Sequence, residues 1–346
     1  MRNLVHRTPR LALAFALALV AGCDNDVTAP KQMHPSDQTV AGKAVNKSVI
    51  ALEPLPGSSG SYSAARGIND LGQVVGESAS SSGNRAVIWD NSTIPQDLGT
   101  LPGDLASGAV AISSDGRMIS GNSTGPTALS AVRWLRSGEQ WLIDALPSGS
   151  GCTVNGMSSD GTAIAGTCGA LAVVWVNGSR IVLGNGNAGG VNSKGQAVGT
   201  NSTFNHAILW DFSSGVVTAT DLGTLGGTFA VATNINDAGE VTGWSENANQ
   251  VSHAFLWTPK KGVMIDLAAN GPTSGGYGIN ASGKVVGDMF PSTQHAGYYD
   301  GHKAIDLGFL PGYASAIAVS LNNNGQAVGW SSTILSQTRA TMWIVK

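Results

Sequence analysis

The chain has 346 residues, 12% of them charged, with 47 glycines and a formal net charge of −3. Average domains carry roughly a quarter charged residues, and the slight acidic excess here leaves no basic footprint, which argues against nucleic acid as a partner. Glutamate occurs only at 53, 77, 139, 240 and 246, and abundant Gly, Ser, Thr and Asn suits an exported all-β protein rather than a helical one.

The first element in chain order is an address. Residues 1–10 carry Arg2, Arg7 and Arg10 and no acid, and 11–21 is an unbroken run of small and apolar residues. This is a charged segment followed by an apolar one too short to span a bilayer. Val20-Ala21-Gly22-Cys23 resembles the lipobox of bacterial lipoprotein precursors. The resemblance implies that 1–22 is a cleaved signal peptide and that Cys23 is lipidated, giving an exported protein held on the cell envelope by its acyl chains. Residues 24–47, rich in Asp, Asn, Thr, Pro and Lys, cannot bury enough apolar surface to offset ordering and read as a flexible tether.

From 48 onward one phrase recurs seven times: INDLGQVVG, ISSDGRMISG, MSSDGTAIAG, VNSKGQAVG, INDAGEVTG, INASGKVVG and LNNNGQAVG. It ends on Gly76, Gly121, Gly166, Gly199, Gly243, Gly287 and Gly329, in steps of 45, 45, 33, 44, 44 and 42 residues. Each phrase supplies a strand, a turn with Asn, Asp or Ser before Gly, and a second strand. A third strand follows, with Ala and an aromatic three residues later. Its aromatics are Trp89, Trp134, Trp175, Trp210, Trp257 and Trp343, and Tyr299 in the sixth unit. Residues three apart on a strand face opposite ways, so both faces of the sheet are buried. A fourth strand carries Asp-Leu-Gly or a relic of it, at Asp97, Asp144, Asp221, Asp266 and Asp306, degenerating in the third unit to IVLGNGN at 181–187.

Four short strands per forty-odd residues predict an all-β, seven-bladed β-propeller spanning 48–346 as a single domain. The seventh unit ends after its third strand, and VIALEPLPG at 49–57 looks like the missing DLGTLPG strand. The N-terminal strand is therefore expected to complete the last blade and close the ring.

HAFLW at 253–257, DLGTLGG at 221–227 and INDAGEVTG at 235–243 together resemble the HAF family of bacterial extracellular repeats. The resemblance covers about 48–346 and implies export, a repeat structure and a binding role, without an assigned reaction.

Candidate chemistry is sparse. His206, His253 and His295 share one repeat position, so their rings should radiate rather than converge on a metal; a strand-locking hydrogen bond to a carbonyl or a neighbouring Asp-Leu-Gly aspartate is expected. Asp97, Asp221 and Asp306 read as turn aspartates rather than calcium ligands. Cys152 and Cys168 flank the Ser159-Asp160-Gly161 turn nearly symmetrically and read as a disulfide. The first strands contain only Arg66, Cys152, Tyr62 and Tyr277 as ionisable groups, so no carboxylate is expected at the inner lining for acid–base work. No metal, cofactor or catalytic motif is expected. The sequence favours a monomeric scaffold binding a protein or glycan through face loops. Its rivals are a polysaccharide- or peptidoglycan-acting hydrolase or lyase with a site in loops 77–84, 244–252 or 288–294, and a purely structural spacer.

Overall fold

A computed structural model describes residues 47–58, 62–201, 205–269, 271–290, 292–301 and 303–345. Cys23, the expected signal peptide and all but the last residue of the expected tether lie outside them. The described residues form 27 β-strands, antiparallel wherever named strands pair. They group into five four-stranded sheets and one seven-stranded sheet.

The larger sheet has a simple origin. Ser179–Val191 is one continuous strand that pairs with Leu171–Val176 through its first part and with Gln196–Asn201 through its second. It therefore serves as fourth strand of unit three and first strand of unit four. The stretch read as a degenerate fourth strand is half of a shared one, which explains the short 33-residue step.

The recurring phrase folds the same way each time. Its first glycine (Gly72, Gly116, Gly161, Gly195, Gly239, Gly283, Gly325) has φ between +68° and +81°, a region that side chains disfavour. Its last glycine sits beside the neighbouring strand so closely that a Cβ on Gly76, Gly199 or Gly287 would meet the carbonyl oxygen of Ala64, Asn187 or Gly275. Each first strand also carries a one-residue bulge at the same place. The bulged residues are Arg66, Val110, Asn155, Gly189, Thr233, Tyr277 and Val319.

The residue opening the turn ties one unit to the next. In Asn236 the side-chain oxygen accepts from the N–H groups of Ala238 and Glu240, while its amide donates to the carbonyl of Asn280. Asn69 donates likewise to Ser113, Asn192 to Asn236 and Asn280 to Asn322. Asn322, in the last unit, donates to the carbonyl of Asn69 in the first at 3.0 Å.

The hydrophobic cores lie between units rather than within them. Trp134 packs with Val75, Ile88 and Leu98 of unit one, and Trp210 with Ala163 and Val174 of unit three. Trp343 meets Val286 and Leu307 of unit six, while Trp89 meets Leu52, Val328 and Ala340. Trp89, Trp134 and Trp343 are 1% exposed or less, and Trp175, Trp210 and Trp257 are also buried.

The N-terminal strand Lys47–Ala51 pairs antiparallel with Thr338–Val345, the third strand of the last unit. The Leu52 N–H donates to the Ala340 carbonyl, as Leu98, Leu222 and Leu267 do to Ala86, Ala207 and Ala254. Leu52 thus occupies the place of the leucine in Asp-Leu-Gly.

Candidate functional site

The three repeat histidines each bond the acid of their own unit. Nδ1 of His206 lies 2.8 Å from Asp221, that of His253 2.8 Å from Asp266, and that of His295 2.7 Å from Asp306. The other oxygen of each carboxylate accepts the N–H two residues on, from Gly223, Ala268 and Gly308. One aspartate thus caps its turn and locks the third strand. Desolvation opposes the ionised form of Asp221, but hydrogen bonds from His206 and the Gly223 N–H outweigh it and hold the carboxyl below its usual range. Where arginine fills the histidine slot the pairing persists, Arg85 with Asp97 at 4.0 Å and Arg339 with Glu53 at 3.0 Å. Each partnership stays within one sheet. Among the described residues no group of three or more potential metal ligands converges.

Cys152 and Cys168 stand directly opposite on a hairpin and are disulfide-bonded, with Cα atoms 4.2 Å apart. Arg180 lies against the pair, 3.5 Å from the Cys168 sulfur, and donates to the Ser148 carbonyl.

The row of first strands carries chemistry that its own residues do not announce. The expectation that no carboxylate reaches it fails, because second-strand side chains share its face. Glu77, paired in register with Ala64, accepts from the Tyr62 hydroxyl at 2.6 Å and from Arg66 at 2.7 Å. The Arg66 guanidinium lies over the ring of Trp330 in the last unit, 4.6 Å from its centroid. Asp288, paired with Gly275, accepts from Tyr277 at 3.3 Å and from Gln294 at 2.7 Å. In unit five, Trp244 stacks on Phe229 with centroids 5.1 Å apart.

Six of these groups, Arg66, Glu77, Trp244, Tyr277, Asp288 and Trp330, occupy two repeat positions, the bulge and the residue after the last glycine of the phrase. The first holds Arg66 in unit one and Tyr277 in unit six, with Thr233 and Val319 in units five and seven; the second holds Glu77, Trp244, Asp288 and Trp330 in units one, five, six and seven. In units two to four the same positions hold Val110 and Asn122, Asn155 and Thr167, and Gly189 and Thr200. At the second position, units five, six, seven and one are thus aromatic or charged, and units two to four carry Asn or Thr.

Burial sets the electrostatics. Asp288 is 3% exposed, and desolvation pushes its carboxyl upward despite the hydrogen bonds from Gln294 and Tyr277. Desolvation likewise raises the Tyr277 and Tyr62 phenols, helped by the neighbouring carboxylates, so both stay protonated at neutral pH. Desolvation would lower Arg66, but Glu77 outweighs it and keeps the guanidinium charged. Of the stretches expected as loops, 77–84 is mostly strand, with Gln73–Ser80 and Gly83–Asp90 leaving only a two-residue turn, and Asp288 and Glu246 also lie within strands, Val285–Met289 and Val241–Asn247, where Glu246 accepts from Thr228. The signal was the alternation of faces on the second strand, which places its side chains beside the bulge.

At the Asn–Gly turn end of the row the polar groups are tied to one another. Asp237 accepts from Ser159 and Ser193, two different units, and Asp70 accepts from Asn323.

No family model matches this sequence, and no curated protein matches it. Solved structures do. The β-propeller domain of the Trilobed protease from Pyrococcus furiosus, described as having an open velcro topology, is similar over 81% of this chain and 94% of that one, at 11% identity and a TM-score of 0.54. A prolyl endopeptidase structure matches 82% of this chain at 10% identity and a TM-score of 0.54, the similarity spanning half of that chain. At such identities the likeness speaks to fold alone: the chain has a β-propeller-type fold.

Proposed function

We propose that the seven units form one closed ring and that the protein works by binding a ligand at the mouth of its channel on the Tyr62 side. The observation that carries the binding reading is the one-sided clustering of Arg66, Glu77, Trp330, Tyr277 and Asp288, with Tyr62 bonded to Glu77, at positions that units two to four fill with Val, Asn, Gly or Thr. Blade geometry does not need those side chains, since Gly189 and Thr200 serve the same places. Ring closure is supported by the Asn322–Asn69 bond, by the Ala340 N–H donating to Ser63, and by Trp89 packing on Val328. The HAF-type resemblance and the lipobox-like segment support an exported, lipid-anchored protein that acts in the cell envelope. Lys47 pairs with Val345, whose N–H donates to Gly325 in an Asn–Gly turn.

A second reading has one observation in its favour. Asp288 is a carboxyl biased toward its protonated form, which suits a general acid in glycan hydrolysis. Its weakness is that Glu77, the carboxylate on the other side of unit seven, is already held by Tyr62 and Arg66.

Affinity capture from envelope extracts tests the binding reading, comparing the wild-type protein with Trp330→Ala and Glu77→Gln. Partners retained by the wild type and lost by both variants are expected. An identical set for all three proteins rejects the mouth as the site. Turnover of a peptidoglycan or polysaccharide substrate that disappears in Asp288→Asn replaces it with the hydrolase.

A further inference from the structure

Resting on the binding role proposed for this mouth, we infer that its ligand is an uncharged carbohydrate, stacked on the aromatic side chains and hydrogen-bonded by the polar ones. The argument is one of charge and shape. Arg66 and Glu77 are an ion pair at 2.7 Å and cancel each other. Asp288 is shielded from solvent, and burial biases it toward the neutral acid. The cluster therefore presents little net charge. A phosphate or nucleic acid would need surplus cation, and here the guanidinium is already matched. A divalent cation would need several oxygens gathered on one point, whereas Glu77 is already engaged by Tyr62 and Arg66.

What remains is half-buried aromatic surface beside phenol, carboxyl and amide groups. Trp330 is held flat by Arg66, and Trp244 by Phe229 at an interplanar angle of 23°. Rings fixed in this way offer large amphipathic contact at low entropic cost. Sugar rings present C–H faces to such surfaces and hydroxyls around their edge, which matches donors and acceptors set between aromatic residues.

The probes are soluble oligomers of glucose, N-acetylglucosamine and mannose, with oligogalacturonate and a mixed peptide digest as charged and non-sugar comparators. Calorimetric titration should detect at least one neutral oligomer. Its affinity should be insensitive to added salt, because no net charge is matched. It should fall at least about tenfold in Trp330→Ala and in Tyr277→Ala, the scale of losing a central aromatic contact. Thr200→Ala, on the small side, should bind as the wild type does. Thermal melting identifies any variant that fails to fold, and Tyr277→Phe and Glu77→Gln then provide milder substitutes. Neutral oligomers that do not bind, or that bind both aromatic variants unchanged, overturn the carbohydrate assignment. If oligogalacturonate or peptide binds instead and Trp330→Ala abolishes it, the sugar assignment falls while the mouth keeps its binding role. Absence of binding by every probe counts against both.

Discussion

At the scale of the residue, the internal repeat acts as its own control. Seven copies of one position show what the blade requires, and departures from that requirement have to be explained by something else. Asp288 is the clearest departure: a buried carboxylate where units three and four are content with Thr167 and Thr200. Its raised pKa means that its stabilising contribution is complete below the ordinary carboxylate value and is lost as pH rises through the raised one. Asp288→Asn should therefore melt higher than the wild type at pH 8, with the gap narrowing toward pH 4, while ligand binding weakens. Thermal unfolding across that range checks the sign, and a constant or reversed gap contradicts it. The carboxyls held low behave oppositely. Desolvation resists ionisation of Asp160, Asp221 and Asp237, but hydrogen bonds prevail, so their contribution is present above the ordinary value and is lost as pH falls below about 4.

The histidines give a second test at this scale. His253 has a side chain 4% exposed and that of His206 is 31% exposed, yet both make the same 2.8 Å bond to an aspartate. His253→Ala should cost roughly 1–3 kcal/mol, because it removes a buried ring and strands a partner, Asp266, that is only 23% exposed. His206→Ala should cost at most about 1 kcal/mol because water replaces the ring. Equal losses in denaturant titration would mean that burial does not set the value of the bond.

At the scale of the element, the sequence revealed strands more readily than it revealed which groups meet. The glycine steps, the Ala-to-aromatic spacing and the displaced Leu52 strand are short-range patterns dictated by backbone sterics, so they are visible in one chain. The Glu77–Arg66 and Asp288–Tyr277 pairs were not, because they depend on a bulge that re-aims one residue beside a side chain from the next strand. The Glu53 partnership with Arg339 was obscured for another reason: Glu53 stands one residue past Leu52, where the repeat places its acid one residue before the leucine. Two elements can be tested directly. Leu52 is 2% exposed in the core shared with Trp89 and Val328, so Leu52→Ala should cost about 2–5 kcal/mol. A cost near zero would mean that the N-terminal strand is dispensable. The Cys152–Cys168 hairpin has a sequence separation of 16 residues. Reduction should destabilise it by roughly 3 kcal/mol in the chain-entropy model, read as a lower melting temperature with reductant and unchanged melting in a Cys152→Ser variant.

At the scale of the whole molecule, the seam between the last and first units decides whether the units behave as a ring or as a stack with free ends. The bond from Asn322 to Asn69 joins residues 253 apart, and Asn236 makes the same bond to Asn280 across a separation of 44. A stack would let its terminal units fray, because each end lacks a neighbour on one side. A closed ring has no such end, and the two bonds then do equal duty. Asn322→Ala and Asn236→Ala should therefore lower stability by similar amounts, roughly 1–3 kcal/mol each, since both orphan the two turn N–H groups that the asparagine oxygen satisfies. Both variants should still unfold in one transition, and hydrogen exchange should protect Ala318 and Ala65 as strongly as Ala232. An Asn322→Ala variant that costs much less than Asn236→Ala, with exchange spreading from the first and last units before the rest, would show that the seam is open. Closure also bears on binding, because Arg66 lies over Trp330 across that same seam. Asn322→Ala should consequently weaken ligand binding at the mouth more than Asn236→Ala does, although neither asparagine belongs to the cluster.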